Sequence, residues 1–515
     1  MTTTTPTSAG PSPGTADPRH ARRRTWALVV IAVAQLMIVL DASVVIVALP
    51  SAQRALHISV ADRQWVMTAY TLAFGTLLLL GGRIADYLGR RRTFVVGLLG
   101  FAATSALGGL AQSAGMLFAA RALQGGFAAV MAPSALSLLT TTFTEPRERA
   151  RAFGVYGAVA GSGAAIGLVL GGGLTQFASW RWTLLINVPI AVVTAVAARR
   201  VVGESRGGGG RGYDLAGAAT VTLALFMLVY GFTTAGTDGW AAPVTIGLLA
   251  AAAAGLLLFV VVELRSANPL LPVRVVLERN RGGSFLASLL VGCAMLGTFL
   301  FLTYYFQGTL HYSAVRTGFA FLPFSLGIIT GATVSSRLLP RVGPRTLMVV
   351  GLLVAAAGMA WFAQLQVGSG YVAHVLPAEL VTALGMGTTF VPMSSTALVG
   401  VDAADAGVAS ALVNTTQQVG STLGTALLNT VAASATAAFV VSHRRLPDLA
   451  QAAPIHGYTL GFTVSAALLL AAAATAALLV RAGRGDLPAE AAGAEPGLAL
   501  VEPTPVEAAV VAAFD

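Results

Sequence analysis

The chain contains a single cysteine, Cys293, and it lies inside an apolar run. No disulfide can close within one such chain, and no cysteine-based metal site can form. Lysine is absent: all 31 basic side chains are arginines. Charge of either sign is scarce, at 10% of 515 residues, where a soluble domain carries about a quarter. So few charges cannot cover a large water-facing surface. There is no Walker A phosphate loop, which excludes that kind of ATP-driven engine, and no H-E-x-x-H pair or other catalytic cluster. His57, His311, His443 and His456 fall in or beside loops, where they read as solvated surface.

What remains is apolar: 56% of residues are hydrophobic and the mean hydropathy is +0.78. The apolar runs are long, rich in Leu, Ala, Val and Gly, and do not alternate, which points to helices. A bilayer core of ~30 Å needs roughly 20 apolar residues per helix, and lipid obliges every backbone polar group to bond within the protein. The expected fold is an all-α membrane protein with fourteen spans. They cover residues 26–49, 65–82, 93–111, 116–139, 152–176, 182–198, 215–235, 243–264, 283–307, 317–336, 346–363, 372–398, 407–431 and 458–480. Residues 1–25 and 481–515 are Pro-, Ala- and Thr-rich and read as disordered tails.

Arginine sets the expected orientation. With the N-terminus inside, inner segments hold 24 arginines. Outer loops hold Arg54, Arg63, Arg181, Arg316, Arg444 and Arg445, and Arg121 lies within a span. This bias predicts an inner-membrane protein with both termini cytoplasmic. It also accounts for the net charge of +10 without nucleic acid as a partner.

An internal repeat recurs at an offset of 254 residues: Arg83, Gly89, Arg91, Val95, Val96 and Gly97 match Arg337, Gly343, Arg345, Val349, Val350 and Gly351. Both copies are short basic turns between the second and third helix of a block. Two six-helix halves follow, 26–198 and 282–480, joined by a linker, 199–281, that carries two extra spans. Parallel repeats of this kind suit a transporter with its site near the pseudo-two-fold axis.

Three ionisable residues interrupt apolar spans: Asp41, Arg121 and Glu379. A charge at mid-bilayer costs about 2.5–3.5 kcal/mol on insertion scales, so each is a functional candidate by default. At ~1.5 Å per residue they lie roughly 13, 9 and 12 Å from the outer ends of their spans, in one layer. They are expected to handle protons, substrate or both. The competing readings are a fixed Asp41–Arg121 pair that only fastens helices, and a Glu379 that simply reaches water.

Several motifs resemble the major facilitator superfamily, specifically its fourteen-span drug:proton antiporter branch, from the first span to the thirteenth. Leu40-Asp41-Ala42-Ser43-Val44-Val45-Ile46-Val47-Ala48-Leu49-Pro50 is similar to that branch's first-span signature, with Ser43 and Ile46 where the family has Thr and Asn. Gly82-Arg83-Ile84-Ala85-Asp86-Tyr87-Leu88-Gly89-Arg90-Arg91 resembles the superfamily's gating loop, and Arg121-Ala122-Leu123-Gln124-Gly125 its R-x-x-Q-G motif. Gly163, Gly167, Gly171 and Gly172 resemble the antiporter motif of span five without its proline, and a packing face for close helices accounts for them equally well. Trp180-Arg181-Trp182 with Asn187-Val188-Pro189, Tyr70 after Gln64-Trp65, and Asn414 with Gln417, Gln418, Gly420 and Gly424 complete the resemblance.

The resemblance implies a major-facilitator fold that works by alternating access, with no cofactor and the proton gradient as energy source. It gives Asp41 and Arg121 roles in proton or substrate handling. Tyr70, Gln124, Asn187, Asn414, Gln417 and Gln418 become candidate pore-lining polar groups. The expected function is efflux of small amphipathic or cationic drugs by one chain acting alone in the lipid bilayer. A dedicated exporter of one antibiotic or metabolite is the nearest alternative. An uptake symporter and a membrane-embedded enzyme or receptor are the others.

Overall fold

The structure is a computed structural model; it describes residues 18–59, 62–143, 145–205, 214–266, 276–397 and 406–483, with residues 269 and 399. Among them there is no strand. Among the described residues fourteen long helical segments follow one another: α1 Pro18–Ala55, α2 Trp65–Leu88, α3 Arg90–Gly109, α4 Ala114–Thr142 and α5 Pro146–Phe177. After α6, Trp182–Val201, come α7 Leu215–Asp238 and α8 Pro243–Arg265. The rest are α9 Arg279–Tyr304, α10 Ala314–Val342, α11 Pro344–Phe362, α12 Leu376–Thr396, α13 Ala406–Ser442 and α14 Leu449–Leu479. Twelve are long and apolar enough over their described residues to cross a membrane; α2 and α5 carry shorter apolar stretches, Trp65–Leu78 and Gly163–Phe177.

The helices are longer than the apolar runs that announce them. Residues 18–25 belong to α1 and not to a tail. Arginine is a good helix former, and this turn is tied down: Arg23 donates to the Val201 carbonyl at 3.0 Å and Arg24 pairs with Glu148 at 2.8 Å. The rest of both expected tails, 1–17 and 484–515, lies outside the described residues.

α1–α6 pack around Ile31, Phe94, Phe101 and Met131, and α9–α14 around Phe301, Phe306, Phe362 and Phe462. The 254-residue repeat holds in three dimensions. Gly89 and Gly343 both take positive φ, 102° and 86°, which L side chains resist. Each turns one helix directly into the next. The arginine that follows reaches the C-terminal carbonyls of the last helix in its half: Arg91 donates to Val202 O at 3.4 Å and Arg345 to Ala477 O at 2.6 Å. Cations at helix C-termini complete open carbonyls and oppose the helix dipole. These turns mark one end of the bundle, called here the basic end.

The extra pair is lateral. α7 bonds to both halves: Thr222 donates to Thr76 O in α2 at 3.1 Å, and Thr430 in α13 donates to Phe232 O at 2.9 Å. A groove of about 730 Å³ runs between α2, α4 and α7, lined by Leu72, Leu77, Leu80 and Phe226 with Thr76 and Thr222.

The halves meet along α2 and α13, where Gly75 faces Val419, and again at the far end, away from the arginine turns. Tyr304 of α9 donates to Gln53 of α1 at 2.5 Å, and the Arg63 guanidinium lies over its ring at 4.0 Å. Gln307 donates to Val47 O at 2.9 Å, and Val315 N donates to Gln176 Oε1 at 3.2 Å.

Candidate functional site

Asp41 sits mid-way along α1 with no exposed surface, and four helices supply its surroundings. Arg121 of α4 donates from Nη1 to Asp41 Oδ2 at 2.6 Å. Gln124, one turn further on α4, donates to Oδ1 at 2.7 Å, and Asn187 of α6 donates to the same oxygen at 2.8 Å. Gln124 also donates to Ser105 of α3 at 2.7 Å and accepts from Arg121 Nη1 at 2.6 Å. Arg121 Nε donates to Val66 O at 3.1 Å, and its guanidinium lies 4.3 Å from the centre of the Tyr70 ring.

Three-residue spacing on α4 puts Arg121 and Gln124 on one face, so a single helix can offer both a cation and an amide to the same carboxylate. Proline at Pro189 follows Asn187 near the break at Ile186 that divides α6, which leaves this turn free to aim its amide inward. Buried charges persist only when paired and hydrogen-bonded, and both conditions are met here. Arg121 Nη2 and Asn187 Oδ1 have no protein partner. A small cavity of about 10 Å³ beside Arg121, bordered by Ala48, Leu117 and Thr183, approaches the room one water needs. Chemically, the cluster is a carboxylate whose release from three donors would free α1 from α4 and α6.

The structure therefore brings together Asp41, Arg121, Gln124, Asn187 and Tyr70. It does not bring Glu379 to them. Glu379 is fully buried in α12, in the other half, where its polar neighbour is Tyr371. Gln417 and Gln418 are half-buried on α13; their backbones pack against Gly292 of α9 and Gly75 of α2. The side chains of Arg83, Asp86 and Asn414 lie outside the described residues.

In the α2–α3 turn, Gly82 precedes the basic stretch on α2 and Gly89 makes the turn. Arg90 N donates to Ser205 O at 2.9 Å. Glu204, just after α6, accepts from Arg91 N at 3.1 Å and holds the Arg91 and Arg92 side chains at 3.6 and 3.8 Å. The α5 glycines split their tasks. Gly163, Gly167 and Gly171 face α1, while Gly172 meets Ala314 and Val315 of the other half.

Sequence reasoning missed Ser105, Glu204 and Tyr371. Glu204 had a signal, being an acid set among Arg199, Arg200, Arg206 and Arg211 after span six. Ser105 had none, since a serine in an apolar helix is ordinary.

Comparison with known proteins follows the same line. The model of the Major Facilitator Superfamily matches residues 31–425. A puromycin resistance protein of Streptomyces alboniger is 50% identical over 461 residues, 89% of this chain and 92% of that one. A cephamycin export protein of Amycolatopsis lactamdurans is 42% identical over 80% of this chain and 86% of its own. A lincomycin resistance protein of Streptomyces lincolnensis is 35% identical over 79% and 84%. Among solved structures, a bacterial homolog of the human lysosomal transporter Spinster, in an inward-facing and unoccupied conformation, aligns with a TM-score of 0.63 over 92% of this chain and 99% of that one. At 15% identity that likeness is one of fold.

Proposed function

The chain belongs to the Major Facilitator Superfamily, and from that premise we propose that it is a proton-driven exporter of small amphipathic or cationic drugs, working by alternating access. It is a multi-pass membrane protein. The observation that carries the coupling proposal is the Asp41 carboxylate, buried and held by Arg121, Gln124 and Asn187 from two other helices. A proton arriving at Asp41 removes the charge that Arg121 answers, and the pair loses its reason to stay closed. A cationic substrate competes with Arg121 for the same oxygens. Either event loosens α1 from α4 and α6, which lets one site respond to both.

In the proposed orientation the basic end faces the cytoplasm of the producing cell, with both termini there, and the membrane is the inner one. The halves then touch at the outer end, which makes this conformation closed to the outside. Tyr304, Gln53 and Arg63 form the seam that must part when the cavity opens outward.

A second reading is supported by the relatives, several of which are named for one antibiotic each. On that reading the chain exports a single compound, and the puromycin resistance protein makes puromycin the first to try.

The test is efflux of puromycin and of ethidium from cells expressing the chain, with and without a proton uncoupler, and with Asp41→Asn beside the wild type. Uncoupler-sensitive efflux of both, lost in Asp41→Asn, supports the multidrug reading. Efflux of puromycin alone supports the dedicated one. Efflux that survives the uncoupler and Asp41→Asn overturns the proton coupling.

A further inference from the structure

Glu379 is the one candidate ionisable residue that the Asp41 cluster does not absorb. It is fully buried, and among the described residues no donor meets its Oε1 in hydrogen-bond geometry. The shell around it is aromatic. Tyr371 packs against Phe306 and Tyr312 at centroid distances of 5.8 and 6.2 Å, and Phe306 packs against Phe321 at 5.2 Å. Two π-helical turns bound the site: Tyr305–Thr309 at the end of α9 and Tyr371–Val375 at the start of α12. Such turns are rare and concentrate at functional positions. The repeat adds a relation: Arg121 shifted by the 254-residue offset falls on Val375, one helical turn before Glu379. Each half thus carries a buried ionisable group at a corresponding level, and among the described residues only the N-terminal one has an ionic partner.

The hydrogen-bond inventory is informative. Tyr371 has one hydroxyl hydrogen and two neighbours that could accept it. It donates to the Ala320 carbonyl at 2.8 Å, while Glu379 Oε2 stands at 3.4 Å. A hydroxyl that has spent its hydrogen on a carbonyl still has lone pairs to offer. A carboxylic acid can donate to them; a carboxylate cannot. The other polar group at hand is the Phe324 amide in the first turn after the Phe321 break of α10.

Among the described residues no cation answers Glu379. Arg316 lies over the Tyr312 ring at 3.9 Å and is exposed, and His311 and His374 are exposed. Tyr305 spends its hydroxyl on Gln366 and Ser369 carbonyls. Arg54 and Arg63 of the facing half lie beside Tyr304. The remaining arginines of α9, α10 and α11, which are Arg279, Arg281, Arg337, Arg341 and Arg345, belong to the basic end of those helices.

We propose that Glu379 is a second proton-binding site, separate from Asp41, which exchanges its proton with water at the far end and holds it against the oxygen of the half-buried Tyr371. Hydronium gives its proton to the Glu379 carboxylate and leaves as water; the acid then donates a hydrogen bond to the Tyr371 oxygen, which keeps its own hydrogen directed at Ala320 O. The reverse step returns the proton to water. In transport this rests on the antiport reading and adds a second titrating carboxyl to it, one that moves with α12 and the C-terminal half.

Infrared difference spectra of the purified full chain in liposomes, acidic minus alkaline buffer, test the site without requiring transport. Wild type is expected to show a carboxylic-acid carbonyl band that moves in heavy water. Glu379→Gln should remove it and Asp41→Asn should leave it. Tyr371→Phe, which keeps the ring and its packing, should retain the band and shift it, and this variant decides the matter if Glu379→Gln does not fold. A difference spectrum unchanged by both Glu379→Gln and Tyr371→Phe overturns the proposal and leaves Glu379 as an ionised cap on the broken α10. A Glu379 band in a protein whose efflux ignores the uncoupler overturns the antiport reading alone, and the site stands.

Discussion

Arg121 reaches Asp41 across 80 residues of sequence, with 2.6 Å between Nη1 and Oδ2 and neither side chain exposed to solvent. A buried pair of this kind is a weak source of net stability, because desolvation offsets much of the attraction. Breaking it is another matter. Removing one partner leaves an uncompensated charge and costs about 3–5 kcal/mol. Asp41→Asn is therefore expected to lower the melting temperature of the purified protein as well as to end uncoupler-sensitive efflux. Asp41→Asn combined with Arg121→Gln restores a neutral pair. The double variant should melt above Asp41→Asn and remain inactive. Equal melting of the two would show that the pair does not govern stability.

The pair also shows how far the sequence could be read. Asp41 and Arg121 stand out because charges are rare in apolar runs, and a residue count placed both in one layer. Glu379 stood out for the same reason, but a depth estimate has no azimuth. It could not say that Glu379 points into its own half's aromatic cluster while Asp41 and Arg121 point at each other. The repeat was legible because Gly89 and Gly343 have a backbone reason to persist. Helix ends were not, since Arg23 and Arg24 tie down the start of α1 through contacts with Val201 and Glu148 that lie far away in sequence.

Glu204 holds two arginines and one backbone amide of the α2–α3 turn, at a partly exposed site. Partly exposed ion pairs contribute about 0–1 kcal/mol, so Glu204→Gln should scarcely change the melting temperature. Its effect is expected on rate, because the same contacts decide how firmly the α2–α3 turn is tied to the end of α6. Efflux by Glu204→Gln should fall severalfold, and adding Arg91→Gln should cost little more, since both remove one contact. Additive losses in transport would separate the two residues.

Neighbouring glycines on α5 give a packing test. A Cβ on Gly171 would lie 2.7 Å from Val44 Cα, whereas a Cβ on Gly173 would meet nothing within 4 Å. Gly171→Val must push α1 and α5 apart, at a cost of about 1–3 kcal/mol. Gly173→Val should be tolerated. Thermal melts of the two variants in detergent should differ by several degrees, with the Gly171 variant lower. Equal melts would mean that the α1–α5 contact is looser than the glycine face implies.

At the far end, Val315 N donates to Gln176 Oε1 at 3.2 Å, which joins the last turn of α5 to the start of α10 and so one half to the other. If the halves part there during transport, a covalent tie should stop the cycle. Cys293 is buried and is the chain's single cysteine, so Cys293→Ser gives a thiol-free background. In that background Gln176→Cys with Val315→Cys, bridged by a short bifunctional thiol reagent, is expected to abolish efflux. The same reagent should leave either single variant active. Because the reagent can be chosen not to cross membranes, labelling of intact cells also reports orientation: reaction from outside places the far end outside and the arginine turns in the cytoplasm. A cross-linked double variant that still transports would show that the halves do not separate at this seam, and alternating access would have to use a different one.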